Sequence, residues 1–569
     1  MAKTIWICSR KELPRDTEHK MHSVCDKITP DNITPIPHKV VTNTNVAYGI
    51  TNPQDTLIIK DNSLMLGMLF EEADNWHIPG EKHPDGSYAI IRNNDDFCEL
   101  VTDAVASRTI WYYKNDDLFV ASTSQRAIIL FIGGFDFNQR VIPWMLATGC
   151  IGPQYSWDKR INMVPPDSAV ILNKHDWSIQ TKQNPIVFEE VKKDNKFHEE
   201  KLKQTMESTF NSIDFNFSDW VLPLSGGYDS RGILCFLKQK GKTDNLKTVT
   251  WGLKSSLKQR KNDAYIAKKL ADTFNVSHQY FYTNLSDEPT EKILHRFLIN
   301  GEGRLDNFAA YMDGFYIWKA LFESGVKGII RGDEGFGGKE VSSTLTARLY
   351  PGLGLCSDYS NLKEYRKYNI PEQDIPDDLL QRENESLKQW ADRLNHEFHQ
   401  PVSLAALSDL KLSYVEIANP LLSKKILLQA RKLPDHLRNN KTLYKKIVKS
   451  MSPKVPFATR HAEALLPNSV KQKRIVDLIK KELESDFAKE IFSEEFLNQI
   501  IKNLKIADDQ KSNEAKPFSI KLLLKQILPV SIKNYLKDRA SSKLSIDYNL
   551  LGFRTFIVLK MNKLLKEQI

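Results

Sequence analysis

The sequence predicts two domains of different class, an antiparallel α+β domain followed by a parallel α/β domain, on three observations. Residues 1 to about 190 carry short alternating apolar runs broken by polar turns. From about residue 197 strand-like and helix-like segments alternate, and between the two patterns Glu189 to Lys201 is rich in charge and poor in aromatics, as a linker is. A chain of 569 residues also exceeds what one core holds, since single cores stop growing near about 250–300 residues.

The front half is read from runs such as Ser87-Tyr88-Ala89-Ile90-Ile91 and Leu118-Phe119-Val120-Ala121-Ser122, separated by Asn-Asn-Asp-Asp and Lys-Asn-Asp-Asp turns. In the back half a helical segment reaching about Ser212 precedes a strand at Trp220. A helix over 230–240, a strand over 246–253, a helix over 262–274 and a strand over 278–283 follow. A long helix near 306–324 then leads to the strand 326–330, and residues from about 375 to 569 read as mainly helical. Strand and helix in turn imply a doubly wound parallel sheet with its ligand at the carboxyl ends of the strands. The expected domains are 1–190, 197–470 and a helical extension, 471–569.

Composition is that of an ordinary globular protein, 41% hydrophobic and 27% charged. The net charge of +9, from 80 basic and 71 acidic residues, allows an anionic partner without demanding a nucleic acid. Late lysines, as in Lys441-Thr442-Leu443-Tyr444-Lys445-Lys446 and Lys471-Gln472-Lys473-Arg474, are interleaved with other positions and read as solvated helix faces. Six scattered cysteines without a CxxC pair argue against a disulfide framework or a zinc site. With no apolar run near the roughly 18–20 residues of a membrane helix, and a start unlike a signal peptide, the reading is cytoplasmic and away from membranes. A homodimer is left open.

The chemistry is concentrated in Ser225-Gly226-Gly227-Tyr228-Asp229-Ser230, which follows the apolar run Trp220 to Leu224 and precedes a helix. Strand, glycine turn and helix start aim backbone N–H groups and a positive helix end at one spot, and a pyrophosphate fits it. Ser225 and Ser230 add hydroxyl donors. Asp229 facing a polyanion is repulsive unless Mg²⁺ stands between them. The combination implies Mg–ATP bound so that pyrophosphate leaves, and the lysine of a GxxxxGKS or GxxxxGKT phosphate loop is missing. A second loop, Arg331-Gly332-Asp333-Glu334-Gly335-Phe336-Gly337-Gly338, ends the strand 326–330. On the same sheet edge, Asp333 would supply Mg²⁺ with its second carboxylate.

These residues resemble known ones. SGGxDS is the PP-loop signature of the ATP pyrophosphatase superfamily, and SGGYDS followed by GDEGFGG resembles the asparagine synthetase family, which carries GSDE-F-GG in the second loop. Thr248-Val249-Thr250-Trp251-Gly252-Leu253 resembles the family strand that cradles adenine, and Asp263 to Ala267 with His278 resembles the helix and histidine after it. Fainter similarities lie at Asp103 to Arg108, Phe119 to Thr123, Val164 to Asp167 and Ala418 to Ser423, the last without the family's Arg and Asp. The resemblance implies a front β-sandwich of the N-terminal-nucleophile (Ntn) type with flanking helices, and a HUP-like, doubly wound PP-loop domain behind it. It implies ATP and Mg²⁺ as cofactors, with Leu224, Ser225, Gly226, Gly227, Asp229, Ser230, Trp251 and Gly252 on the nucleotide. Asp229 and Asp333 would hold the metal, and Asp229, Asp333, Glu334 and Arg460 would serve catalysis.

Three departures narrow this. The family draws ammonia from glutamine with a cysteine at position 2, where this sequence has Ala2, and Cys8 lies in an apolar strand. Ile330 stands where asparagine-forming members carry a glutamate and the β-lactam and carbapenam synthetases a tyrosine. The family lysine that holds pyrophosphate, in an RxK segment, has no assigned counterpart; Pro456 to His461 resembles that segment and puts Arg460 in reach. The expectation is an AMP- and pyrophosphate-forming amide ligase without glutaminase activity, joining a small-molecule or peptide carboxylate to an amine. Lactam or macrolactam formation, as in the β-lactam synthetases and lasso-peptide cyclases, ranks ahead of asparagine synthesis from free ammonia. A tRNA-modifying PP-loop enzyme and a non-catalytic relative are the readings of other class.

Overall fold

The computed structural model describes residues 3–54, 56–283, 286–462, 469–507 and 544–568. The front part is built from strands β1 (Thr4–Ser9), β2 (Lys39–Thr42), β3 (Val46–Ile50), β4 (Leu57–Lys60), β5 (Ser63–Leu69), β6 (Gly86–Asn93), β7 (Phe97–Thr102), β8 (Trp111–Lys114), β9 (Leu118–Ser122), β10 (Asn162–Met163), β11 (Ser168–Asn173) and β12 (Ile179–Gln183). They form two antiparallel sheets, ordered β10-β8-β9-β1-β3-β2 and β12-β11-β7-β6-β5-β4. The alternation in β1 shows why they stack. Ile5 and Ile7 point to the helices α1 (Thr17–Ile28), α2 (Gln125–Ile132) and α3 (Val141–Thr148), while Trp6 and Cys8 point between the sheets. There they meet Ala89 and Ile91 of β6, whose alternate residues Tyr88 and Ile90 face the other way.

After α4 (Asn195–Ser212) comes a five-stranded sheet in the order β15-β14-β13-β16-β17, with every neighbouring pair parallel. Its strands are β13 (Trp220–Pro223), β14 (Lys247–Gly252), β15 (Ser277–Tyr282), β16 (Gly328–Ile330) and β17 (Glu416–Ala418). Crossovers run through α5 (Asp229–Gln239), α6 (Asp263–Phe274), α7 (Thr290–Gly301) and α8 (Tyr316–Glu323). In both β13 and β16 successive residues serve opposite cores, Val221 and Ile329 on one face and Leu222 and Ile330 on the other, because helices cover both sides. Strand order reverses between β13 and β16, so the SGGYDS and GDEGFGG loops leave neighbouring strands at the switch point of the sheet.

The helix expected near 306–324 is broken. Gly314 and Phe315 both take positive φ, 73° and 66°, and α8 begins only after them. Asp313 receives the Phe315 and Ile317 N–H groups at 3.1 and 3.2 Å, so its carboxylate starts α8 and ends what precedes it. The extension expected over 471–569 contains helices Lys473–Leu483, Asp486–Ile491, Glu494–Asn503 and Tyr548–Glu567, while 508–543 lie outside the described residues. Among the described residues no helix is long and apolar enough to cross a membrane.

Candidate functional site

β13 ends in Pro223, and Leu224 then hydrogen-bonds back to Val249 O at 2.8 Å, which holds the loop over β14. Within the loop Ser230 Oγ accepts from the Ser225 N–H at 2.9 Å and lies 3.0 Å from Ser225 Oγ, while the Gly227 N–H donates to Ser225 Oγ at 3.2 Å. The Gly226 N–H donates to Asp263 Oδ1 at 3.1 Å. A Cβ on Gly226 would fall 2.5 Å from Ala458 Cβ, which is why the segment after Pro456 can lie across the loop. Asp229 then opens α5, at the positive end of the helix.

The second loop closes on the first. A Cβ on Gly332 would sit 3.0 Å from Asp229 Cβ and 3.1 Å from Ser230 N, so only glycine lets the two strand ends approach this closely. Arg331 Nη2 donates to Asp333 Oδ1 at 2.9 Å, and Glu334 Oε2 accepts the Phe336 N–H at 2.7 Å. The loop is backed by a wide π-helical stretch, Asn395–Leu404, in which Pro401 offers no N–H to a regular ladder. Gln400 Nε2 donates to Glu334 O at 2.9 Å.

Lys441 joins the two loops. Its Nζ lies 3.1 and 3.2 Å from the Asp229 oxygens and 2.6 Å from Glu334 Oε1. Burial works against the Lys441 ammonium, but Glu334 and Asp229 outweigh it and raise its pKa. Asp229 moves the same way for the opposite reason: burial, then Glu334, push its carboxyl up to about 6 even with Lys441 alongside. Lys441 thus bridges Asp229 and Glu334, while Asp333 pairs with Arg331.

Lys441 was missed as a functional residue, since its run reads as a solvated helix face. The backbone turns it inward: Asn440 and Lys441 take φ of 55° and 56°, a left-handed step before the helix Thr442–Met451. The Asn439-Asn440 pair ahead of it was the available signal. Trp251 lines a cavity of about 320 Å³ together with Ser225, Asp229, Ser230, Arg331, Asp333 and Lys411, and packs edge-on against Trp318 at 5.3 Å. Gly252 is covered by Ala462, whose Cβ would be 2.5 Å from a Cβ there. Arg460 pairs through its backbone, its N–H donating to Lys261 O at 3.2 Å and its carbonyl accepting the Asp263 N–H at 2.9 Å. Its side chain is exposed and makes no hydrogen bond or ion pair to the carboxylates. Ile330 is fully buried, and Ala2 lies outside the described residues. A larger cavity, of about 640 Å³, lies between α7 and the helices Lys473–Leu483 and Tyr548–Glu567, away from both loops.

The donor set fits Mg²⁺. Asp229 and Asp333 offer hard oxygens on adjoining strand ends, and the ammonium between Asp229 and Glu334 marks a place where a cation is favoured. Among the described residues no three His, Cys, Asp or Glu side chains converge as a metal site of their own, so phosphate oxygens would complete the coordination.

Residues 221–345, which contain both loops, match the model of the asparagine synthase family. No curated protein matches the chain. Among solved structures, the chain is similar to one titled as the allosteric regulatory enzyme of purine biosynthesis, at 10% identity and a TM-score of 0.22, covering 50% of this chain and 81% of that one. It is also similar to the glutamine phosphoribosylpyrophosphate amidotransferase of B. subtilis complexed with ADP and GMP, at 11% identity and a TM-score of 0.20, covering 49% and 65%. Scores this low carry no argument about fold.

Proposed function

We propose that the chain is an ATP-dependent amide ligase working through an acyl-adenylate. The observation that carries this reading is the meeting of Asp229, Glu334 and Lys441 beside a serine- and glycine-lined helix start, at the switch point of a parallel sheet. The substrate carboxylate attacks the α-phosphorus of ATP, the bond to the β-phosphate oxygen breaks, and pyrophosphate leaves along the SGGYDS loop. An amine then displaces AMP from the adenylate and forms the amide. Ser225, Ser230 and the start of α5 bind the departing phosphates, and Lys441 is within the same cluster to take up their charge. Asp229 and Asp333 would hold Mg²⁺, which supplies charge neutralisation on the polyphosphate when bound. Trp251 stands at the end of β14 for the base.

A glutaminase role for a thiol finds no support. All six cysteines are buried, and burial raises every thiol, Cys25 and Cys356 to about 12. The amine is then free ammonia, a second substrate or a group on the same molecule, the last giving a lactam. The test is AMP and pyrophosphate formation from ATP with a panel of carboxylic acids and amines. D229N should lower it by about 10²–10³-fold. Full activity in that variant would remove Asp229 from the mechanism.

A further inference from the structure

The helix Lys424–Ala430 does not cap itself. Ser423, at its N-cap with φ −47° and ψ 134°, accepts no hydrogen bond from the helix through its side chain. Asp85, which immediately precedes β6 in the front domain, takes that role. It accepts Ser423 Oγ at 2.6 Å, the Lys424 N–H at 2.7 Å and the Lys425 N–H at 3.5 Å. Asp85 is 3% exposed and Ser423 0%, so the contact is sealed from water. A carboxylate at a helix start satisfies unpaired N–H groups and the positive helix end together. Lys424 Nζ, in turn, reaches Asp167 Oδ1 at 2.7 Å.

The other side of the same helix backs the second loop. Leu427 Cδ2 lies 2.5 Å from where a Cβ on Gly335 would be. Arg431, at the helix end, donates Nε to His396 Nδ1 at 3.3 Å, and His396 Nε2 lies 3.2 Å from Gly335 O. With Nδ1 accepting, the proton is on Nε2 and is donated to Gly335. Leu422 and Leu427 also pack against Ala104 and Val105 of the front domain. Two contacts on Gly335 therefore tie the helix to the stretch that carries Asp333 and Glu334.

We propose that Asp85 is a positioning residue for the ligase site. The front domain acts as a clamp: it fixes the start of the helix Lys424–Ala430, and the helix fixes how far Asp333 and Glu334 stand from Asp229. What the loop does once positioned rests on the ligase reading; the coupling from Asp85 to Gly335 does not.

The experiment is hydrogen exchange on the full chain over 331–338 and 419–431, in the wild type, D85A and D85A/S423D. An aspartate at the N-cap position restores the cap from within the helix, in the space vacated by the other carboxylate. D85A should speed exchange in 331–338 by about tenfold. The double variant, which regains the cap but not the tie to Asp85, should recover over 419–431 and stay as fast as D85A over 331–338. In parallel, the Mg²⁺ concentration needed for half-maximal ATP binding, read from tryptophan fluorescence, should rise in D85A and stay raised in D85A/S423D. Loosening confined to 419–431, or a double variant back at the wild-type rate over 331–338, would overturn the proposal. If D85A does not fold, D85N is measured the same way, and unchanged exchange over 331–338 overturns the proposal there too. A wild-type chain that binds no ATP would overturn the ligase reading, and the exchange result would still decide the coupling.

Discussion

Two carboxylates of this chain, Asp167 and Asp229, are shifted in opposite directions by their surroundings. At the seam between the front domain and the helix Lys424–Ala430, Asp85 and Asp167 each collect donors from the opposing side. Burial alone would raise Asp167, but His83 and Lys424 outweigh it and hold the carboxyl down at about 2. At the strand ends, Asp229, Asp333 and Glu334 crowd around Lys441 and Arg331, and Asp229 rises to about 6. Charge on Asp167 is neutralised by the fold itself, whereas burial raises Asp85 in spite of its hydroxyl and N–H donors. At the strand ends burial and the neighbouring Glu334 outweigh Lys441, and Asp229 is harder to ionise for it.

The contrast can be broken most sharply at Lys441. K441A should lower AMP formation by about 10²-fold and destabilise the unliganded chain by about 1–3 kcal/mol, since Asp229 and Glu334 then lose the cation they share. Added Mg²⁺ should raise the melting temperature of K441A more than that of the wild type, and an equal rise would show that Lys441 and the metal do not share a place. The seam should behave otherwise. D167N should cost about 2 kcal/mol at pH 7, from a carboxyl at about 2 in the fold against 3.8 when unfolded. A depressed carboxyl stabilises above its unfolded value and loses that as pH falls through 3.8 towards 2, so the gap between D167N and the wild type should close over that window in denaturant titrations. A gap that stays constant there would mean the aspartate acts by shape alone. The smallest effect is expected at Arg460, whose side chain is exposed: R460Q should change AMP formation by less than about twofold. A larger loss would bring that side chain back to the phosphates.

The strand-to-helix turn at SGGYDS was readable because its signal is local: six consecutive residues between an apolar run and a helix. Its meeting with Asp333 followed from the alternation of strand and helix, which forces parallel neighbours onto one edge. The break at Gly314 and Phe315 was not readable, because Tyr316 to Glu323 continues a helical apolar pattern and the interruption depends on Asp313 capping α8. Lys441 was not readable because its direction depends on two left-handed residues rather than on its spacing along the helix. Arg460 was chosen because its segment stands where the family carries an RxK, and in the fold that segment is held by backbone pairing with Lys261 and Asp263.

The order of the parallel sheet has a consequence for how the chain comes together. β17 joins β16 only after everything between Ile330 and Glu416 has been made, and β17 also carries Glu416, whose carboxylate accepts from Arg108 at 2.6 Å. Strand pairs this far apart in sequence close slowly, and the front sheets emerge from the ribosome long before them. The arrival of residues 416–425 thus adds the edge strand β17 and brings Glu416 to Arg108 and the helix start to Asp85 in one late step of assembly.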